Sequence, residues 1–261
     1  MRLAGKVVLI TGASGGIGAA CAAAFRARGA VVSATARSAE KLAPAAGEDG
    51  LAIPGDITDP AVRREVVART VERFGRIDVL VNNAGQGLYR PTWQVPLEEA
   101  QRLFALNFFA PLEMMQLAIP HMRKQGGGTI VNVGSIGGRV ALPWLTVYCA
   151  SKYAIGALTD GIRMELKGTG IRAITVCPGY VFTGFQRNAM GQKAPDLPVS
   201  SRAFVISAEQ CAAAIVRGVE RDARTVVTPR MGWIFIALAR LLPGVFDARL
   251  AAINRHLWTS D

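Results

Sequence analysis

The chain has 261 residues, 51% hydrophobic and 19% charged, which supplies a large core and excludes a disordered chain. Its net charge of +11 is spread along the sequence with no basic run, aromatic-interleaved stripe or zinc-finger spacing, which argues against a nucleic-acid partner. Two histidines (His121, His256) and four widely spaced cysteines (Cys21, Cys149, Cys177, Cys211) offer no metal site or disulfide framework; the cysteines read as reduced packing residues.

No Pro/Gly/Ser-rich linker divides the chain, so a single domain over 1–261 is expected. The segment Met1–Lys6 leads into an apolar strand without a signal-peptide core, and a cytoplasmic location is expected. Val7–Thr11 reads as the first strand. It runs into Gly12-Ala13-Ser14-Gly15-Gly16-Ile17-Gly18 and an Ala-rich helix to Arg28. In such a strand, glycine turn and helix, Gly12 permits the tight turn, Gly16 lets backbone approach a pyrophosphate, and Gly18 lets the helix lie close to the strand. A glycine turn alone is weak, since many such loops carry glycines for steric reasons only.

Ala30–Ala36 is the second predicted strand, and Arg37 follows it where an NAD site would place a carboxylate. A guanidinium there suits a 2′-phosphate and favours NADP, with a solvated loop arginine as the alternative. Leu51–Gly55 is the third strand, with Asp56 and Ile57 expected to border the adenine. Asp59-Pro60 predicts an N-cap and N1 pair opening a helix to Phe74. Ile77–Val81 is the fourth strand and ends in Asn82-Asn83-Ala84-Gly85, amides that can tie strand ends while Gly85 leaves room for a cofactor.

Asn107 lies in an apolar helical stretch, either as a packed amide or as one holding water on a proton path. Gly128–Gly134, the fifth strand, delivers Ser135 at the edge where open parallel sheets bind ligands. Thirteen residues on, Tyr148 and Lys152 stand one helical turn apart, which places their Cβ atoms roughly 5–6 Å from each other on one face. A nearby ammonium favours the phenolate, making Tyr148 a candidate proton donor and acceptor. Ile171–Val176 is the sixth strand, followed by Pro178, Gly179, Tyr180, Val181 and Thr183, a turn that can present backbone and Thr183 to a nicotinamide amide. Residues 184–206 lack periodicity and are expected to form a substrate lid. A helix is expected from Val205 and a seventh strand over Thr225–Thr228.

The set Thr11-Gly12-x-x-x-Gly16-x-Gly18, Asn82-Asn83-Ala84-Gly85, Asn107, Ser135, Tyr148-x-x-x-Lys152 and Pro178-Gly179 resembles the short-chain dehydrogenase/reductase family over about residues 5–228. The resemblance implies an α/β fold of the Rossmann type, doubly wound, with a seven-stranded parallel sheet and helices on both faces. It implies hydride exchange between NAD(P) and an alcohol or carbonyl. Tyr148 is then the acid/base, Lys152 binds the nicotinamide ribose and lowers the Tyr148 pKa, Ser135 polarises the substrate oxygen, and Asn107 supports a water relay. NADP(H) is expected over NAD(H), cradled by Gly12 to Gly18 (Ser14, Gly15 and Ile17 included), Arg37, Asp56, Ile57, Asn83, Ala84, Gly85, Pro178, Gly179, Val181 and Thr183.

Ile136, Leu142, Trp144 and Tyr180 are expected to line an apolar pocket for a lipophilic ketone, aldehyde or secondary alcohol. A dinucleotide-sensing protein without turnover is the competing reading, and the complete Ser135, Tyr148, Lys152 set weighs against it. The chain departs from the family after the seventh strand. Residues 230–261 form a hydrophobic extension, with Ile234, Leu238, Leu241, Leu242 and Val245 at helical spacing and Pro243-Gly244 kinking or ending the helix. That extension is expected to cover apolar surface near the substrate mouth, in a homodimer or homotetramer, peripherally on a membrane, or on its own domain.

Overall fold

Val7–Thr11 (β1) is buried at every position, as befits the middle strand of a sheet covered on both faces. The other strands are β2 Val31–Ala36, β3 Leu51–Pro54, β4 Val79–Asn82, β5 Gly128–Val133, β6 Ile171–Pro178 and β7 Thr225–Thr228. In the computed structural model, which describes residues 1–192 and 205–255, they form one parallel sheet in the order β7-β6-β5-β4-β1-β2-β3. The chain winds outward from β1 to β3, then restarts on the other side at β4. The switch point between β1 and β4 opens a crevice at their C-terminal ends.

Alternate side chains of each strand feed two cores. Val8, Ile10, Val32, Val79, Val81 and Val131 pack against α1 (Gly16–Arg26) and a helix at Ala208–Glu220. Leu9, Leu80 and Ile130 face the other way, against α2 (Pro60–Phe74), a helix at Ala110–Lys124 and another at Thr146–Glu165. Helix α2 begins as expected: the Asp59 carboxylate accepts from Ala61 N at 2.8 Å and Pro60 occupies N1.

Several boundaries move for local reasons. β4 starts two residues after Ile77 because the Asp78 carboxylate accepts from Val7 N and from the Lys6 and Arg76 side chains, stapling the strand's start to that of β1. β6 runs on to Pro178, since β7 pairs with it as far as Thr228. The helix expected from Val205 starts at Ala208. Ser207 and Gln210 close a capping box there, and Val205–Ser207 instead lies parallel to Tyr180–Phe182. The segment 184–206, expected to form a lid without regular structure, places Met190–Gly191 beside Leu88–Tyr89 as a short parallel pair; its residues 193–204 lie outside the described chain.

The extension after β7 is two helices, Gly232–Leu241 and Pro243–Arg255. Proline ends one and opens the next. Gly232, Phe235, Ile236, Ala239 and Phe246 turn toward Val140, Cys177 and Val227. The stripe picked out by spacing, Ile234, Leu238, Leu241, Leu242 and Val245, is the exposed side of the pair rather than its packing face.

Candidate active site

The glycine turn is built by close approach. Gly12 holds φ +69°, and a Cβ there would lie 2.9 Å from Ala84 Cα. A Cβ at Gly18 would lie 2.2 Å from Gly12 O, so only glycine lets α1 start this close to β1. The Thr11 hydroxyl accepts from Asn83 N and Ala84 N, and Asn83 Nδ2 donates to Thr11 O and Gly12 O, locking the ends of β1 and β4 together. At the start of α1, Gly15 is extended, no side chain caps the helix, and its first turn carries no acidic residue. Those unshared N–H groups fit the pyrophosphate of a dinucleotide. Thr183 stands over this turn, its methyl 3.3 Å from where a Cβ of Gly16 would be.

Ser135, Tyr148 and Lys152 gather at the end of β5. Ser135 leaves the strand and its hydroxyl accepts from Gly137 N at 3.0 Å. The Ser135 hydroxyl faces the ring of Tyr148, on α3 (Thr146–Glu165): a Cβ on Gly137 would lie 3.4 Å from Ser135 Oγ and 3.6 Å from Tyr148 Cε1. Gly137 and Gly138 allow this contact: a Cβ on Gly138 would meet Lys152 O at 2.5 Å, and one on Gly137 would meet Cys149 Sγ at 3.1 Å. Lys152 Nζ donates to Val133 O at 3.0 Å and stands 5.8 Å from the Tyr148 ring centre. Burial pushes the Tyr148 phenol well above its ordinary value, and the neighbouring Ser135 hydroxyl opposes this.

Asn107 sits in a π-turn, Ala105–Phe109, between two α-helical stretches. Its Oδ1 accepts from Gln86 N, and its Nδ2 donates to Gln86 O and Ser151 Oγ. Ser151 Oγ in turn donates to Tyr148 O. Asn107 is therefore a clamp between the end of β4 and the tyrosine helix. Gly85 lies beside it, since a Cβ there would be 3.2 Å from Asn107 Oδ1 and 3.3 Å from Lys152 Nζ.

The family model described as short chain dehydrogenase matches residues 6–194. The chain belongs to the short chain dehydrogenase family. An uncharacterized oxidoreductase of Thermotoga maritima is 40% identical over 185 residues, 69% of this chain and 73% of that protein. A short chain dehydrogenase from Burkholderia cenocepacia, solved in complex with NADP, superposes with a TM-score of 0.80 at 32% identity, covering 96% of this chain and 99% of that one. At 23% identity, a family member from Burkholderia phymatum, solved with NAD, has the same fold, with a TM-score of 0.83 over 92% of this chain and 94% of that one.

In this short-chain dehydrogenase the remaining expected residues divide. Arg37 is exposed just after β2, and its charge reaches Asp56. Burial would raise the Asp56 carboxyl, but two hydrogen bonds from Thr58 and the Arg37 charge hold it below the usual carboxylate value. Ile57 turns into the core under β3, and Val181 is likewise buried. Gly179 donates its N–H to Thr228 O beside Pro178. Leu142 packs in the cluster around Tyr148; Tyr180 is half-buried and electrostatically coupled to Tyr89. Trp144 adopts the left-handed backbone, φ +65°, and its carbonyl accepts from Arg90 N at 2.8 Å. Ile136 points away from a pocket role, its Cδ1 held against Gly179 and Gly232.

The sequence reading missed the wall opposite Tyr148. Phe185 meets the Tyr148 ring edge to face at 5.7 Å, and Leu88 and Met190 join the same cluster. Tyr89, its phenol pushed up to about 12 by burial first and by neighbouring Tyr180 and Cys149, is a second phenol close to this site. An isolated Leu-Tyr pair carries no periodicity from which to predict a strand.

Burial pulls the Lys152 ammonium from 10.5 down to about 8. Below pH 8 the folded and unfolded chains both hold the proton and the fold bears the full desolvation cost. Between pH 8 and 10.5 the unfolded chain holds more protons, so stability contributed by this group rises with pH. Wild type is expected to gain on the order of 1–3 kcal/mol relative to Lys152→Met across that window. Urea midpoints of both proteins at pH 7, 8, 9 and 10 check this; a pH-independent difference contradicts it.

Proposed function

We propose that this short-chain dehydrogenase is an NADP(H)-dependent oxidoreductase acting on a lipophilic ketone, aldehyde or secondary alcohol. The observation that carries the reading is the Ser135 hydroxyl beside the buried Tyr148 ring, with the Lys152 ammonium behind, at the sheet edge beside the glycine turn. When bound, the nicotinamide supplies or takes up the hydride. In the reductive direction Ser135 and Tyr148 both donate to the substrate oxygen, and Tyr148 gives up its proton as negative charge grows there. Ser135 holds the phenol in line, Lys152 stabilises the phenolate left behind, and Asn107 fixes the tyrosine helix through Ser151. Leu88, Leu142, Phe185 and Met190 around Tyr148 favour an apolar substrate. A homodimer or homotetramer is part of this reading, and exposed Phe109 and Met164 offer apolar area for it.

Arg37 is the residue assigned to the 2′-phosphate. A charge-assisted hydrogen bond contributes about 1.5–3 kcal/mol, so NADPH is expected to be preferred over NADH by roughly 10- to 150-fold in kcat/KM. Arg37→Ala removes most of that preference. Stopped-flow or steady-state reduction of a carbonyl panel with both cofactors tests it. An NADH-preferring wild type overturns the cofactor assignment, and no turnover of any carbonyl or alcohol overturns the enzymatic one.

A further inference from the structure

The helix Gly232–Leu241 (α4) and the start of Pro243–Arg255 (α5) leave one side uncovered. Trp233, Ile234, Leu238, Leu241, Leu242 and Val245 are 49% to 78% exposed, a density of large apolar side chains unlike a solvated helix face. Around a helical wheel the opposite arc, Gly232, Phe235, Ile236 and Ala239, is the one packed on the sheet. The exposed arc thus has no intramolecular role in the described chain.

Charge says what covers it. Residues 230–255 contain four arginines, Arg230, Arg240, Arg249 and Arg255, and one acidic residue, Asp247. Arg230, Arg240 and Arg249 are exposed. A second copy docked by two-fold symmetry on this face would bring the arginines of both chains together, each chain already carrying +11. A bilayer with anionic headgroups accepts both the apolar side chains and the arginines around them. Tryptophan suits that boundary, with an apolar ring and a polar N–H.

We propose that the outward face of α4 and the start of α5 docks peripherally on an anionic lipid surface. The contact lies in the plane of the surface. Ten residues of helix reach about 15 Å, half of a hydrocarbon core. Among the described residues the single helical stretch long and apolar enough to span, Leu97–Lys124, buries Met114, Met115 and Met122 in the core. Docking also sets the substrate site near the lipid, because Gly232 packs on Ile136, the residue after Ser135. The lipid contact itself does not depend on the proposed oxidoreductase activity.

Co-sedimentation of the full chain with phosphatidylcholine vesicles, with and without phosphatidylglycerol, tests the proposal. Binding is expected only with phosphatidylglycerol at low salt, weakening as salt rises. Arg240→Glu with Arg249→Glu lowers the partition coefficient about tenfold or more. Ile234→Ser, Leu238→Ser and Leu241→Ser together abolish binding while circular dichroism and sedimentation velocity match wild type. Two results overturn the proposal: wild type failing to bind anionic vesicles, or the serine variant changing oligomeric state while vesicle binding persists, which would place a second copy on this face.

Discussion

Tyr148→Phe is expected to lower kcat by about 100- to 10,000-fold while leaving the fold and cofactor affinity near wild type. The ring is packed by Leu88, Leu103 and Cys149, with Leu142 and Phe185 against it, and phenylalanine fills the same space. What is lost is one hydroxyl, the neighbour of Ser135 and the group proposed to pass its proton to the substrate oxygen. Burial raises the phenol, so in the resting protein it is protonated and ready to donate. Cofactor titration by fluorescence alongside kcat separates the two effects. A variant that turns over a good substrate at near wild-type rate removes Tyr148 from the mechanism.

The second large effect comes from a methyl group. Gly18→Ala puts a Cβ 2.2 Å from Gly12 O and 2.5 Å from Asn83 Nδ2. Neither neighbour can yield: Gly12 is pressed toward Ala84, and the Asn83 amide is held by two backbone carbonyls. Helix α1 must back away by about an ångström, and a displacement of that size at a binding seat costs roughly 100-fold in kcat/KM. Overpacking also destabilises the fold by about 1–3 kcal/mol. Gly15→Ala is the control. Gly15 has extended backbone and nothing within 4 Å of a new Cβ, so its thermal midpoint should stay near that of wild type. Equal losses of thermal stability in both variants would show that the contact with Gly12 O does not set the start of α1.

Much of the site was legible because its residues announce themselves locally. A glycine turn after an apolar strand, an Asn-Asn-Ala-Gly strand end, and a tyrosine and lysine one turn apart each combine residue type with spacing. The seven strands were legible for a related reason: sheets covered on both faces demand apolar runs. What failed to show depends on partners distant in sequence. Leu88–Tyr89 becomes a strand only because Met190–Gly191 arrives beside it about a hundred residues later. The π-turn at Asn107 is a one-residue slip in phase inside an otherwise helical pattern, and periodicity averages over it. Helical spacing found the apolar stripe of the extension but not its direction, because a second apolar stripe on the same helix won the contact with the sheet.

The four cysteines, first met as packing residues, are all free and buried, and burial raises every thiol, that of Cys149 to about 11 and that of Cys211 to about 12. At neutral pH almost no thiolate exists and none is within reach of a reagent, so alkylation has to wait for the chain to open. The four positions mark different parts of the molecule: Cys21 in α1, Cys149 beside the tyrosine, Cys177 in β6, and Cys211 in the helix Ala208–Glu220. Their separate labelling rates are therefore four clocks, built into the wild-type chain, that time the breathing of the two layers and of the site.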